Sequence, residues 1–208
     1  MPIRRLVRSI ALLLGLVALS SQAALAADDP DFIHMGVGWW DFNRPANHAA
    51  EFDLAYRSDY KLWLLKPHAG ILGTSDGSIY GYGGFLIDFY FGNRFVVTPS
   101  TSVGFYSRGG AKSNLGSPIE FRSGLDLAYR FDDRSRLGVG IYHISNTGLW
   151  DKRNPGEETA LLFYQMPVHK LIPSWRSPGG NSKASQAAAL QTGIETASAK
   201  SAPGPRAR

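Results

Sequence analysis

Ile119-Glu120-Phe121-Arg122-Ser123-Gly124-Leu125-Asp126-Leu127-Ala128-Tyr129-Arg130-Phe131 changes character at almost every step. Ile119, Phe121, Leu125, Leu127, Tyr129 and Phe131 hold one set of alternate positions, and Glu120, Arg122, Asp126 and Arg130 hold the other. A period of two puts successive side chains on opposite faces of a β-strand, so this stretch is a strand with an apolar, aromatic face and a charged one. The charged face carries both signs. Such a face can neutralise itself against neighbouring strands.

Similar alternation between turn clusters predicts strands over 32–42, 49–57, 62–72, 78–91 and 95–106 before this one, and over 136–146 and 158–166 after it. The pattern predicts an all-β chain of eight antiparallel strands with no helix between them. A two-sheet sandwich would also alternate. Three features favour an eight-stranded transmembrane barrel of the outer-membrane kind. The apolar faces are rich in aromatics, the polar faces pair opposite charges, and Trp39, Trp40, Trp63 and Trp150 fall near strand ends where interfacial girdles belong. The connections agree: 58–61, 92–94 and 132–135 are short, whereas 43–48, 107–117 and 147–157 are longer, with 74–77 the one short exception. This places both chain ends inside and the link after the seventh strand outside.

The two ends of the chain have other compositions. Arg4, Arg5 and Arg8, an apolar run over 10–19 and Ala24-Leu25-Ala26 read as a signal peptide cleaved after residue 26, so the chain is exported. Residues 27–168 form the barrel domain. Residues 169–208, rich in Ala, Ser, Gly, Pro and Gln, read as a disordered basic tail. The formal charge of +5 resides in those ends, because residues 27–168 hold 13 basic against 16 acidic residues. That excludes a nucleic-acid partner inferred from the high pI. Without cysteine there are no disulfides or thiolate metal sites. His34, His48, His68 and His169 lack metal-ligand spacing. Glu51, Asp53, Arg57, Arg122, Asp126 and Arg130 read as interior ion pairs, and Arg134 and Arg136 as a solvated turn.

Chemistry concentrates between Tyr142 and Glu158. In the seventh strand Leu137, Val139, Ile141, His143 and Ser145 share a face. If the apolar members face lipid, so do His143 and Ser145, and polar groups there are costly unless interfacial or functional. Residues i and i+2 of a strand lie roughly 6.6 Å apart at Cα, within reach for an imidazole leaning towards a hydroxyl. The eighth strand can supply the carboxylate that orients the ring, from Glu157 or Glu158.

His143-Ile144-Ser145-Asn146, then Asn154-x-Gly156-x-Glu158, Leu162-Phe163-Tyr164 and Pro167, resembles the lipid A 3-O-deacylase (PagL-type acyloxyacyl hydrolase) family. The resemblance implies an eight-stranded outer-membrane barrel hydrolysing a fatty-acyl ester of lipopolysaccharide, with lipid A as substrate and no cofactor or metal. It implies Ser145 as nucleophile, His143 as general base and Glu158 as orienting acid, with Asn146 and Gly148 at an oxyanion hole. Thr147 stands where the family commonly has Ala. A non-catalytic barrel with a structural or adhesive role is the alternative.

Overall fold

The computed structural model describes residues 29–44, 48–109, 114–148 and 154–178. The signal segment 1–26, Trp150 and the tail beyond 178 lie outside them. The chain runs β1 (Phe32–Trp40), β2 (Ala49–Arg57), β3 (Lys66–Thr74), β4 (Ile79–Leu86), β5 (Phe89–Phe91), β6 (Phe95–Ser107), β7 (Ile119–Arg130), β8 (Arg136–Ser145), β9 (Glu157–Pro167) and a helical turn α1 (Val168–Leu171). Every pairing is antiparallel, and β1 closes against β9 from Phe32↔Pro167 to Trp40↔Thr159. β4 and β5 both pair with β6 and form one stave, so the barrel is closed and eight-stranded.

The stave expected over 78–91 is broken at Ile87–Asp88, opposite Pro99 and Thr98 of β6. Pro99 has no N–H to donate, so the ladder cannot run through it. Asp88 turns inward instead and accepts from Lys66 at 2.8 Å and Thr98 at 2.6 Å. The third strand begins at Lys66, not at Leu62. Leu62 and Leu65 exchange both backbone hydrogen bonds around a tight turn, which the apolar run had disguised as strand.

The alternation sorts the faces as expected. Val37, Phe52, Leu54, Leu125, Leu127, Val139 and Ile141 are exposed on the outer wall, where lipid would cover them. The lumen is filled and charged. Arg57 pairs with Asp126 at 2.7 Å, and Arg122 pairs with Asp53 at 2.9 Å. Arg122 is also sandwiched by the rings of Tyr82 and Tyr142, 4.9 and 3.6 Å from its guanidinium carbon. Asp29, just before β1, binds Arg130 at 2.7 Å and also Arg136. Arg136 is therefore buried in the lumen and not in the solvated turn that the sequence suggested, because its position in β8 points it inward, where Asp29 and Asp88 compensate its charge.

Trp40 also departs from expectation. It leaves the girdle for the lumen and stacks parallel to Tyr106 at 6.1 Å, within a cluster that includes Tyr80, Leu115 and Ile144. Trp39, its neighbour, stays outward. At the opposite end residues 168–178 follow β9 along the barrel, with Trp175 donating to Asp31 at 2.7 Å. Lys170 of α1 pairs with Asp133 of the β7–β8 turn, and this bond, with one from Ser135, holds the Asp133 carboxyl down at about 2.

Removing one partner of a buried ion pair leaves the other charge uncompensated. Arg122→Ala is expected to destabilise the barrel by about 3–5 kcal/mol. Arg122→Met combined with Asp53→Leu should recover much of that loss. Urea unfolding in lipid vesicles, read by loss of the heat-modifiable gel band, measures both.

Candidate active site

Strand β8 presents Gly138, Gly140, Tyr142 and Ile144 to the lumen and Leu137, Val139 and Ile141 to the outside. His143 continues the outward row, and Ser145 ends the strand two residues further on. Antiparallel register sets His143 directly across from Glu158, and His143 Nδ1 lies 3.1 Å from Glu158 Oε1. An ionised carboxylate only accepts hydrogen bonds, so Nδ1 carries the proton and Nε2 of a neutral ring keeps its lone pair. The adjacent acid does something else. Glu157 is buried and turned inward, with Oε2 3.1 Å from Arg44. Of the two acids open on sequence grounds, the geometry brings Glu158 to the imidazole.

The Asn-x-Gly-x-Glu spacing acquires a physical meaning at each named residue. Asn154 Oδ1 accepts from the backbone N–H of Asn146 at 3.1 Å, which ties the two ends of the β8–β9 loop together. Gly156 has a φ of +62°, and a Cβ there would sit 2.8 Å from His143 Cε1. Any larger residue would be strained by its backbone and would push the ring. Glu158 then meets Nδ1.

Asn146 is fully buried. Its Nδ2 donates to Leu115 O at 2.9 Å, and its Oδ1 accepts from the Gly148 N–H at 2.8 Å. The groups that the resemblance assigns to an oxyanion hole are thus engaged within the loop, next to Ser145. Thr147 and Gly148 follow with φ of +57° and +71°. A β-branched residue in the left-handed region is a strained position, of the kind that persists where surroundings over-determine it.

Two residues that the sequence reading passed over complete the cluster. Asn43 Nδ2 donates to Glu158 Oε2 at 2.7 Å, so both carboxylate oxygens are held. Arg44 binds Asp41 at 2.9 Å, the carbonyls of Pro155 and Gly156, and Glu157. It laces the β1–β2 loop to the β8–β9 loop. Nothing local in Phe42-Asn43-Arg44 announces this. The available signal was closure, since a barrel must pair its first and last strands, and Phe42 N donates to Glu158 O at 3.2 Å.

Below the His143–Glu158 row a groove of about 980 Å³ opens in the wall. Val37, Trp39, Phe52, Ile141, Ala160 and Leu162 are among its lining residues. Ala160 pairs with Ile141 on one side and Trp39 on the other, so the groove passes over a small side chain between larger ones.

The closed eight-stave barrel thus carries an exposed His143–Glu158 pair on its wall, with Ser145 buried at the end of the same strand, and such a barrel is of the membrane-spanning class. The lipid A 3-O-deacylase (PagL) family model matches residues 33–167, and the chain belongs to that family. It is an outer-membrane β-barrel. Among solved structures it resembles the outer membrane enzyme PagL, with 24% identity and a TM-score of 0.54 over 66% of this chain and 99% of that one. A de novo designed transmembrane β-barrel aligns over 66% of this chain and 96% of its own, at 13% identity and a TM-score of 0.41. No curated protein matches the chain significantly.

Asn43→Ala removes one of the two groups holding the Glu158 carboxylate. A hydrogen bond to a charged group contributes about 1.5–3 kcal/mol. Lipid A deacylation is therefore expected to fall roughly 10- to 100-fold, with barrel folding unchanged in the heat-modifiability assay.

Proposed function

We propose that this protein is a lipid A deacylase that hydrolyses the 3-O-acyl ester of lipopolysaccharide in the outer membrane. Ser145 is the nucleophile, His143 the general base and Glu158 the acid that orients it. The observation that carries this reading is the His143 Nδ1–Glu158 Oε1 contact of 3.1 Å on the exposed face of the wall, with Ser145 two residues on, buried where β8 ends. Family membership supports the lipid A substrate. The apolar groove beside the site supports a fatty-acyl chain as the part that is recognised.

The chemistry balances without a cofactor. His143 Nε2 takes the Ser145 hydroxyl proton as Oγ attacks the ester carbonyl. Glu158, fixed by Asn43, holds the ring in the required tautomer and offsets the imidazolium charge that forms. The tetrahedral oxyanion is assigned to Asn146 and Gly148, where the Gly148 N–H exchanges its bond to Asn146 Oδ1 for the oxyanion. As the intermediate collapses and the acyl C–O bond to the sugar breaks, His143 gives the proton to the departing sugar oxygen, which leaves as a hydroxyl. Water, deprotonated by the same imidazole, then releases the fatty acid and restores Ser145.

Mass spectrometry of lipid A from a Gram-negative host expressing the chain provides the test. The wild type should release one ester-linked acyl chain from the 3 position, and Ser145→Ala should release none. Glu158→Gln is expected to lower the rate on the order of 10²- to 10⁴-fold. Glu157→Gln, changed on the luminal side, should stay within about tenfold of wild type. Equal deacylation by Ser145→Ala, or lipid A unchanged by the wild type, would discard the assignment.

A further inference from the structure

The end of the barrel opposite the catalytic hairpin is lopsided. Two of its turns are polar, Gly92-Asn93-Arg94 and Asp132-Asp133-Arg134-Ser135. The β2–β3 turn is not. Tyr60, Leu62, Trp63, Leu64 and Leu65 are all exposed there, Trp63 to 87%. Leu62 and Leu65 bond to each other at 2.8 and 3.1 Å and force Trp63 and Leu64 to the tip. Trp63 has a φ of +64°, a left-handed backbone that a bulky residue adopts only at a cost. A glycine would make this turn without strain. A tryptophan held out in solvent on a strained turn requires an explanation that folding of the monomer does not supply.

The segment after β9 joins that turn. Val168 N donates to Asp31 O at 2.9 Å, and the chain then makes α1 and runs past β1. Trp175 packs edge-on against the outward ring of Tyr56 at 6.0 Å. Asp31 is the clasp between the two pieces. Its Oδ2 accepts from Trp175 Nε1 at 2.7 Å, and its Oδ1 accepts from the Asp59 N–H at 2.7 Å. Ser177 donates to the Asp59 carboxylate. The outer side of this segment exposes Leu171 and Ile172 beside Arg176, much as the turn exposes its leucines beside Lys61. This segment lies beyond residue 167, where the family match ends.

We propose that these two segments form a lipid-interface collar. Trp63, Leu64, Leu171 and Ile172 lie at the acyl–headgroup boundary of the periplasmic leaflet, and Lys61 and Arg176 meet its phosphates. Two observations favour phospholipid as the occupant. The collar continues the exposed apolar wall of β2 and β3, represented by Leu54 and Ile71, which is already lipid-facing. It also mixes indole and leucine side chains with cations, the composition that partitions into a membrane interface.

The chain contains no cysteine, so single cysteines can carry a nitroxide without a background. Trp63→Cys, Ile172→Cys and the control Asn93→Cys would be made in the full chain, refolded into phosphatidylethanolamine–phosphatidylglycerol vesicles and checked by heat-modifiable migration. Labels at 63 and 172 should be several-fold more accessible to oxygen, relative to a water-soluble nickel chelate, than the label at 93. Accessibilities at 63 and 172 equal to that at 93 would overturn the collar. So would dipolar coupling between labels on separate molecules, which would make this face a contact between copies. If Trp63→Cys does not fold, Leu64→Cys reads the same tip, and Ile172 reports from the other segment.

Discussion

In a bilayer core no water is available for a backbone amide, so each N–H and C=O left open costs several kcal/mol. Closure of β1 against β9 and of β4 against β6 is the answer to that constraint, and the remaining features follow from it. Once the ladder is closed, every second side chain must face lipid and every other one a lumen too narrow for bulk water. Alternate charges along β2 and β7 then have to find each other across the lumen. Arg57 reaching Asp126 and Arg122 reaching Asp53 are the result.

Closure also sets how a site can be built on such a protein. An outward imidazole on one strand is fixed relative to the wall, and an acid that meets it must come from an adjacent stave in register. His143 and Glu158 satisfy this as direct partners. The loops around them are less constrained, and they are held by side chains. Arg44 spans four acceptors of two loops, and Asn146 reaches down to the carbonyl of Leu115. Leu115 itself is buried in the cluster that caps the lumen. The hairpin at the surface is therefore anchored to the interior packing of the barrel.

Periodicity made the strands legible, and the best-alternating segments were read best, 49–57 reproducing β2 residue for residue. It misled where apolarity lacked alternation. Leu62-Trp63-Leu64-Leu65 looks like the start of a strand, but it is a turn whose side chains have no core to enter. Trp40 was invisible as a luminal residue because its neighbour Trp39 is equally apolar, and one step along a strand reverses the face. Arg136 was misplaced although the expected strand already began there: its charge suggested solvent, whereas its parity turns it into the lumen, where Asp29 and Asp88 receive it. The roles of Asn43 and Arg44 at the site could not be found locally, because the partners they reach there, Glu158 and Glu157, are more than a hundred residues away along the chain.

The two consecutive glutamates show how much hangs on that single-step rule. Glu157 and Glu158 are chemically the same, and only the parity of β9 separates them. Parity turns Glu158 outward to an imidazole and Glu157 inward to a guanidinium. A shift of one residue in the β8–β9 register would exchange the two roles and also turn Ala160 and Leu162 into the lumen. The loop defends the register from both sides. Asn154 binds the backbone where β8 ends, and Gly156 fits against His143 where no larger residue can. The Asn-x-Gly-x-Glu spacing is thus a register lock as much as a list of polar groups, which explains why a loop of otherwise ordinary turn residues can deliver a carboxylate to one nitrogen of one ring.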